Sequence, residues 1–203
     1  DRLRSRGLGD VYKRQELGYG GNLNAASLNL QLNGSNAQSL KVVRGINIWD
    51  HKDYPQYNQY GKDITIAGPV TITLQDVPSA SSYALILTAK RDYSFAGPTK
   101  LTVNTSNRGY GLFTNQKVDF TDDLTMDFSE NNHSWGIFAN GAGQVTAKTA
   151  SINMQGGNSH AIWLKENASV AIAEALKTNA HYAMVGQGES TIDVQKDLSL
   201  IHI

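Results

Sequence analysis

The sequence predicts an all-β chain wound into a parallel β-helix, with three short strands per rung and about six rungs. Two observations carry that expectation. Short segments recur with apolar residues at i and i+2, flanked by Asn, Gly, Ser, Thr or Asp, and they fall into three classes that alternate in fixed order. From Tyr93 onward the third class returns at Val118, Val145, Val170 and Ile192, at intervals of 25, 27, 25 and 22 residues.

Taken in chain order, the first class holds Leu28/Leu30, Ile72/Leu74, Leu101/Val103, Leu124/Met126, Ile152/Met154 and Leu176/Thr178. The second holds Ile46/Ile48, Leu85/Leu87, Leu112/Thr114, Ile137/Ala139, Ile162/Leu164 and Ala183/Val185. The third holds Ile64/Ile66, Tyr93/Phe95, Val118/Phe120, Val145/Ala147, Val170/Ile172 and Ile192/Val194. Hairpins need tight two-residue turns and no three-class cycle, whereas a β-helix requires that cycle. Each rung lies about 4.8 Å above the last, so equivalent apolar residues stack inside the tube and neighbouring rungs satisfy the backbone. Asn, Gly and Ser in Asn104–Gly109, Ser129–Ser134 and Gly156–Ser159 suit the corners between strands. Two stretches break the period: His51–Gly61 lengthens one rung, and Pro78–Ser82 with Arg91–Pro98 pads the next. Long excursions leave a solenoid at its corners, so the Tyr54, Tyr57 and Tyr60 loop is a candidate recognition surface or a cover for the tube wall.

Composition narrows the function classes. The 203 residues carry 18 basic and 18 acidic side chains and no cysteine. Disulfide scaffolds, thiolate metal sites and cysteine nucleophiles are therefore excluded. Charged residues make up 18%, below the roughly 25% of an average domain, which argues against a disordered polyelectrolyte and against a basic nucleic-acid binder. No apolar run approaches the roughly 18 residues of a membrane-spanning helix.

The two ends stand apart. Asp10–Gln15 reads DVYKRQ and Leu198–Ile203 reads LSLIHI, which are translations of a transposase-type sequencing adapter and of its reverse complement. Residues 1–15 and 198–203 are therefore expected to be adapter-derived and not native. Residues 16–197 are expected to be an internal piece of a longer, metagenome-type gene product. That segment holds 13 basic and 16 acidic side chains, so its net charge is −3.

The second-class strands align as YALIL (83–87), YGLFT (110–114), WGIFA (135–139), HAIWL (160–164) and HYAMV (181–185). With Asn- and Gly-rich turns and strands such as ASINMQGG and ASVAIAE, residues 16–197 resemble the passenger region of bacterial autotransporters, the type V secreted proteins. The resemblance implies a right-handed, pectin-lyase-like tube on the cell surface or outer membrane, or secreted. It also implies a signal peptide before the segment and the protein's own outer-membrane β-barrel after it. An adhesin-like, non-catalytic role is implied, with a protein or glycan on a host or bacterial surface as ligand, and with self-association as a second kind of contact. The absence of cysteine fits a chain that threads the outer membrane unfolded. A polysaccharide lyase or hydrolase on the same tube, and a phage tailspike-like fibre, are the alternatives.

Candidate binding residues follow from strand phase. If Leu85, Ile137 and Ile162 point inward, then Ile86, Phe113, Phe138, Trp163 and Met184 form an outward apolar ladder, a pattern typical of contact surfaces. A one-residue slip exchanges the two faces, and both alternating sets are apolar, so the pattern leaves the phase open. The preceding column, Tyr83, Tyr110, Trp135, His160 and His181, reads as a structural ring stack at a corner. Its two histidines lack a carboxylate at ligand spacing, so no metal or other cofactor is expected. Asp119, Asp122, Asp123 and Asp127 form an acidic cluster of the kind that runs glycoside hydrolysis or holds calcium. They alternate with core-phase Phe120, Leu124 and Met126, and no GHG or RIK segment accompanies them. Solvated carboxylates and no catalytic residue are the expectation.

Overall fold

Residues 15–17, 23–33, 40–50, 55–58, 61–77, 79–105, 107–128 and 133–200 are described by the computed structural model. Apart from a four-residue helix, Pro55–Asn58, the regular elements are β-strands, and every strand pairing is parallel. The chain forms a right-handed parallel β-helix, the hand that crossovers between parallel strands take. No helix among the described residues is long and apolar enough to cross a membrane.

Three walls enclose the core. The second-class segments build a seven-stranded sheet from Gln15–Leu17, Leu40–Ile48, Ser79–Leu87, Arg108–Thr114, His133–Ala139, Asn158–Leu164 and Tyr182–Gly186. The third- and first-class segments form the other two walls. From Lys117 onward they join into single bent strands, Lys117–Phe128, Gln144–Met154 and Ser169–Thr178. Register shifts between Phe120 and Asp123, and between Ala147 and Thr149, mark the corner where these strands turn from one wall to the next.

Third-class pairs stack as their spacing predicts, with Ile64, Tyr93, Val118, Val145, Val170 and Ile192 in one column. First-class residues face inward as expected, but their register is offset by two in places: Leu101 lies beside Met126 and Leu28 beside Val70. An even offset preserves the face and changes only the neighbour. The interior is a continuous aliphatic and aromatic core in which Phe95 stacks on Phe120 at 4.9 Å and 14°. Thr114 occupies a core position and is satisfied there. Its hydroxyl donates to the Leu87 carbonyl (2.8 Å) and accepts from the Gln116 amide (3.0 Å).

Second-class strands break strict alternation. In Arg108–Thr114, Gly111 and Leu112 are both buried, while Tyr110 and Phe113 face out. The same break occurs at Gly136/Ile137 and Ala161/Ile162. A column of small residues, Gly45, Ala84, Gly111, Gly136 and Ala161, lines this bend. A Cβ on Gly111 would lie 2.7 Å from Met126 Sδ and 2.8 Å from the Gly136 carbonyl oxygen. Space at the bend therefore selects glycine or alanine. The following corner repeats a left-handed backbone at Gly141 (φ 58), Glu166 (φ 59) and Gly188 (φ 74). Glutamate holds the middle one at some conformational cost.

The excursion at His51–Gly61 is anchored at both ends. Arg91 is buried with its guanidinium 3.9 Å from Asp50, and its Nη1 donates to the Lys62 carbonyl at 3.5 Å. Asp50 Oδ2 also accepts from the Lys90 amide (2.8 Å). A Cβ on Gly61 would sit 2.1 Å from Arg91 Nη2, so glycine there gives the guanidinium its place. Tyr57 falls within the helix Pro55–Asn58. Its side chain, like Tyr54 and Tyr60, lies outside the described residues.

Candidate functional site

The bend just described gives the wall its outward pattern. With two adjacent residues turned inward, the flanking positions three apart both face out, and two ring columns run side by side along the tube. One column is Tyr83, Tyr110, Trp135, His160 and Tyr182, headed by Arg44 in register with Tyr83. The other is Ile86, Phe113, Phe138, Trp163 and Val185. The strand phase left open by the sequence is settled: Leu85, Leu112, Ile137 and Ile162 are buried, and Ile86, Phe113, Phe138 and Trp163 are outward and half-buried.

Two expected members are corrected. Met184 stands beside Ile162, on the core side of the last strand, and Val185 takes the outward place next to Trp163. Met184 is exposed (37%) because no described rung lies beyond it. Likewise His181 is not in the ring column, since Tyr182 pairs with His160 and stacks on it at 4.7 Å. The Ala183/Val185 pair expected to face inward is therefore replaced by Met184/Gly186. A readable signal existed: the word ring–small–aliphatic–large recurs as YALI, YGLF, WGIF and HAIW, and YAMV at 182–185 continues it.

Ring geometry limits what the wall can do. Tyr83 and Tyr110 stack at 4.4 Å and 8°, Tyr110 and Trp135 at 4.6 Å and 11°, and Trp135 and His160 are near-parallel at 5.9 Å and 5°. Phe113 stacks on Phe138 at 5.3 Å and 14°. Between the columns the contacts are edge-on: Tyr83 to Phe113 at 89°, Tyr110 to Phe138 at 72° and His160 to Trp163 at 61°. From Tyr83 to His160, and between Phe113 and Phe138, ring faces are turned toward the rings above and below, so this part of the wall offers solvent mainly ring edges, the positive rim of the aromatic quadrupole. Lys165 Nζ lies 5.8 Å from the Phe138 centroid and 5.9 Å from that of Trp163, within cation–π range of both.

Burial pushes the Tyr110 hydroxyl up to about 12, helped by neighbouring Tyr83. It also holds the His160 imidazole below its ordinary value, with His181 and His133 acting in the same direction. That shift sets the sign of a pH effect. An unfolded chain carries His160 at the ordinary value near 6.5, so below that pH the unfolded state takes up the proton more readily. Stability contributed by His160 is thus complete above about pH 7 and falls as the solution is acidified through 6.5. His160→Phe, which retains the stack, is expected to reduce the loss of urea midpoint between neutral and mildly acid pH. An identical loss in both proteins would show that His160 is not its source.

The acidic cluster faces outward along the Lys117–Phe128 strand, with Phe120, Leu124 and Met126 buried between its members. Asp119 accepts from the Thr146 hydroxyl, and Asp123 from that of Thr149 at 2.7 Å. Asp122 lies 3.6 Å from Lys148. Asp119, Asp122 and Asp123 thus bind the next rung of their own wall. Among the described residues no group of three metal-ligating side chains converges. In comparisons with known protein families, curated proteins and solved structures, the chain matches none.

Proposed function

We propose that this chain is a segment of the β-helical passenger of a bacterial autotransporter, displayed at the cell surface or released from it, and that it acts as a non-catalytic adhesive stalk. The observation that carries the reading is the paired column of outward rings, which gives one wall a continuous apolar contact strip across successive rungs. Scattered exposed apolar residues are ordinary on protein surfaces, but an aligned strip of this length is characteristic of contact. The ligand is a protein or glycan of a host or bacterial surface, with self-association through the same wall as a second outcome.

Phe138→Ser with Trp163→Ser in the full-length parent is expected to reduce cell adhesion or aggregation while secretion persists. Unchanged adhesion with normal display would remove the wall from the binding surface. The source DNA supplies a separate check. An outer-membrane β-barrel encoded downstream supports the passenger reading, and a downstream GHG and RIK constellation replaces it with a polysaccharide-cleaving enzyme.

A further inference from the structure

Charge is segregated between the walls. From Leu40 onward, the six strands of the ring wall contain no Asp or Glu, and the sheet's one acid, Glu16, lies in its first strand. The strands of the other two walls carry eight carboxylates against four lysines. Ion pairing follows the same division. Lys117 and Lys148, on the acidic walls, meet Asp92 and Asp122 within 4.0 Å. Among the described residues no carboxylate comes within that distance of Arg44, Arg108 or Lys165. These three cations border the rings. Arg44 heads the first column, and Arg108 and His133 stand in register at one margin. Lys165 closes the other margin over Phe138 and Trp163. From Arg44 to Lys165 the cations span four rung steps, about 19 Å along the tube.

We propose that the ring wall binds a linear anionic polysaccharide lying along the tube axis, its charges met by Arg44, Arg108 and Lys165 and its oxygens by the ring edges. This rests on the reading of the wall as a contact surface and names its ligand class. From Leu40–Ile48 to Asn158–Leu164 each strand of the sheet is paired on both sides, so along that stretch of the wall an extended peptide finds no free backbone edge. The faces of Tyr83, Tyr110, Trp135, Phe113 and Phe138 are engaged in ring stacks, which leaves the bases of a single-stranded nucleic acid no continuous platform to stack on. A polyanion without bases, meeting cations at both margins of the ring strip, fits both restrictions. The chain's balance of 18 basic and 18 acidic side chains makes non-selective attraction of polyanions a poor substitute for these cations.

The test measures binding of heparin, polygalacturonate, neutral dextran and single-stranded DNA to the purified chain, followed by tryptophan fluorescence at low and moderate salt. At least one of the two anionic glycans is expected to bind with affinity that falls as salt rises, and dextran to show no binding. Arg108→Ser with Lys165→Ser should weaken that binding tenfold or more, with an unchanged circular dichroism spectrum. Lys100→Ser with Lys177→Ser, exposed on the other walls, should leave it unchanged. Absence of binding by both glycans, equal loss in the control variant, or equally tight binding of DNA or dextran overturns the proposal. If the glycans fail but Phe138→Ser with Trp163→Ser still abolishes adhesion by the parent, the glycan assignment falls and the adhesive reading stands.

Discussion

Replacing Phe120 with alanine is expected to cost ~3–5 kcal/mol of stability, the range for removing a large buried ring. Phe120 is 1% exposed and stacks on Phe95 from the rung below. On its other side, in register, stands Ala147, which is too small to fill the gap. Little collapse is available, so the upper part of the range applies. In a solenoid each rung contacts only its neighbours, so the damage is local as well as large. Hydrogen exchange should accelerate first in the strands holding Phe95 and Val145–Ala147. A urea-unfolding loss below about 1 kcal/mol would mean that the tube closes around the missing ring.

Gly136→Val tests the opposite fault, excess volume. A Cβ at position 136 would approach the Ala161 carbonyl oxygen to 2.5 Å and Ile152 Cγ2 to 2.9 Å. The first of these is backbone in the next rung and cannot rotate away. Overpacking of this kind costs ~1–3 kcal/mol, and valine, with two further methyl groups, should exceed alanine at the same site. Ala84 and Ala161 occupy equivalent positions, so the alanine variant should be the milder of the two. The two variants are compared by thermal unfolding. Equal midpoints for wild type and Gly136→Val would show that the bend is not set by available space.

Much of this architecture can be read from residue types. The third-class columns follow directly from the interval of Tyr93, Val118, Val145, Val170 and Ile192, because β-branched and aromatic residues at i and i+2 have one buried face to fill. Register within the first class was less legible. Its strands extend over three or four inward positions, such as Thr99, Leu101 and Val103, and any apolar pair among them satisfies the pattern equally well. Alternation alone sets the last rung one residue off, because His181 and Tyr182 are both rings and alternation does not rank them. The small residue after the ring decides it: Ala183 follows Tyr182 as Gly136 follows Trp135. The doubled ring strip was hidden by the same assumption of strict alternation. It places Tyr110 and Phe113 on opposite faces, whereas the bend at Gly111 brings both outward. Charge segregation exists only at the level of walls, since carboxylates and cations are interleaved along the chain.

The constancy of the columns amid unequal rung lengths has an evolutionary corollary. Corners absorb insertions and deletions, while Tyr110, Trp135 and His160 repeat at 25-residue steps in unbroken register. Duplication or loss of one such unit changes the height by about 4.8 Å and leaves every ladder, the ring strip included, continuous across the join. Tube height is thus a quantity the gene can adjust in discrete increments, by copying text and not by inventing it, and the length of the ring strip scales with the number of copies.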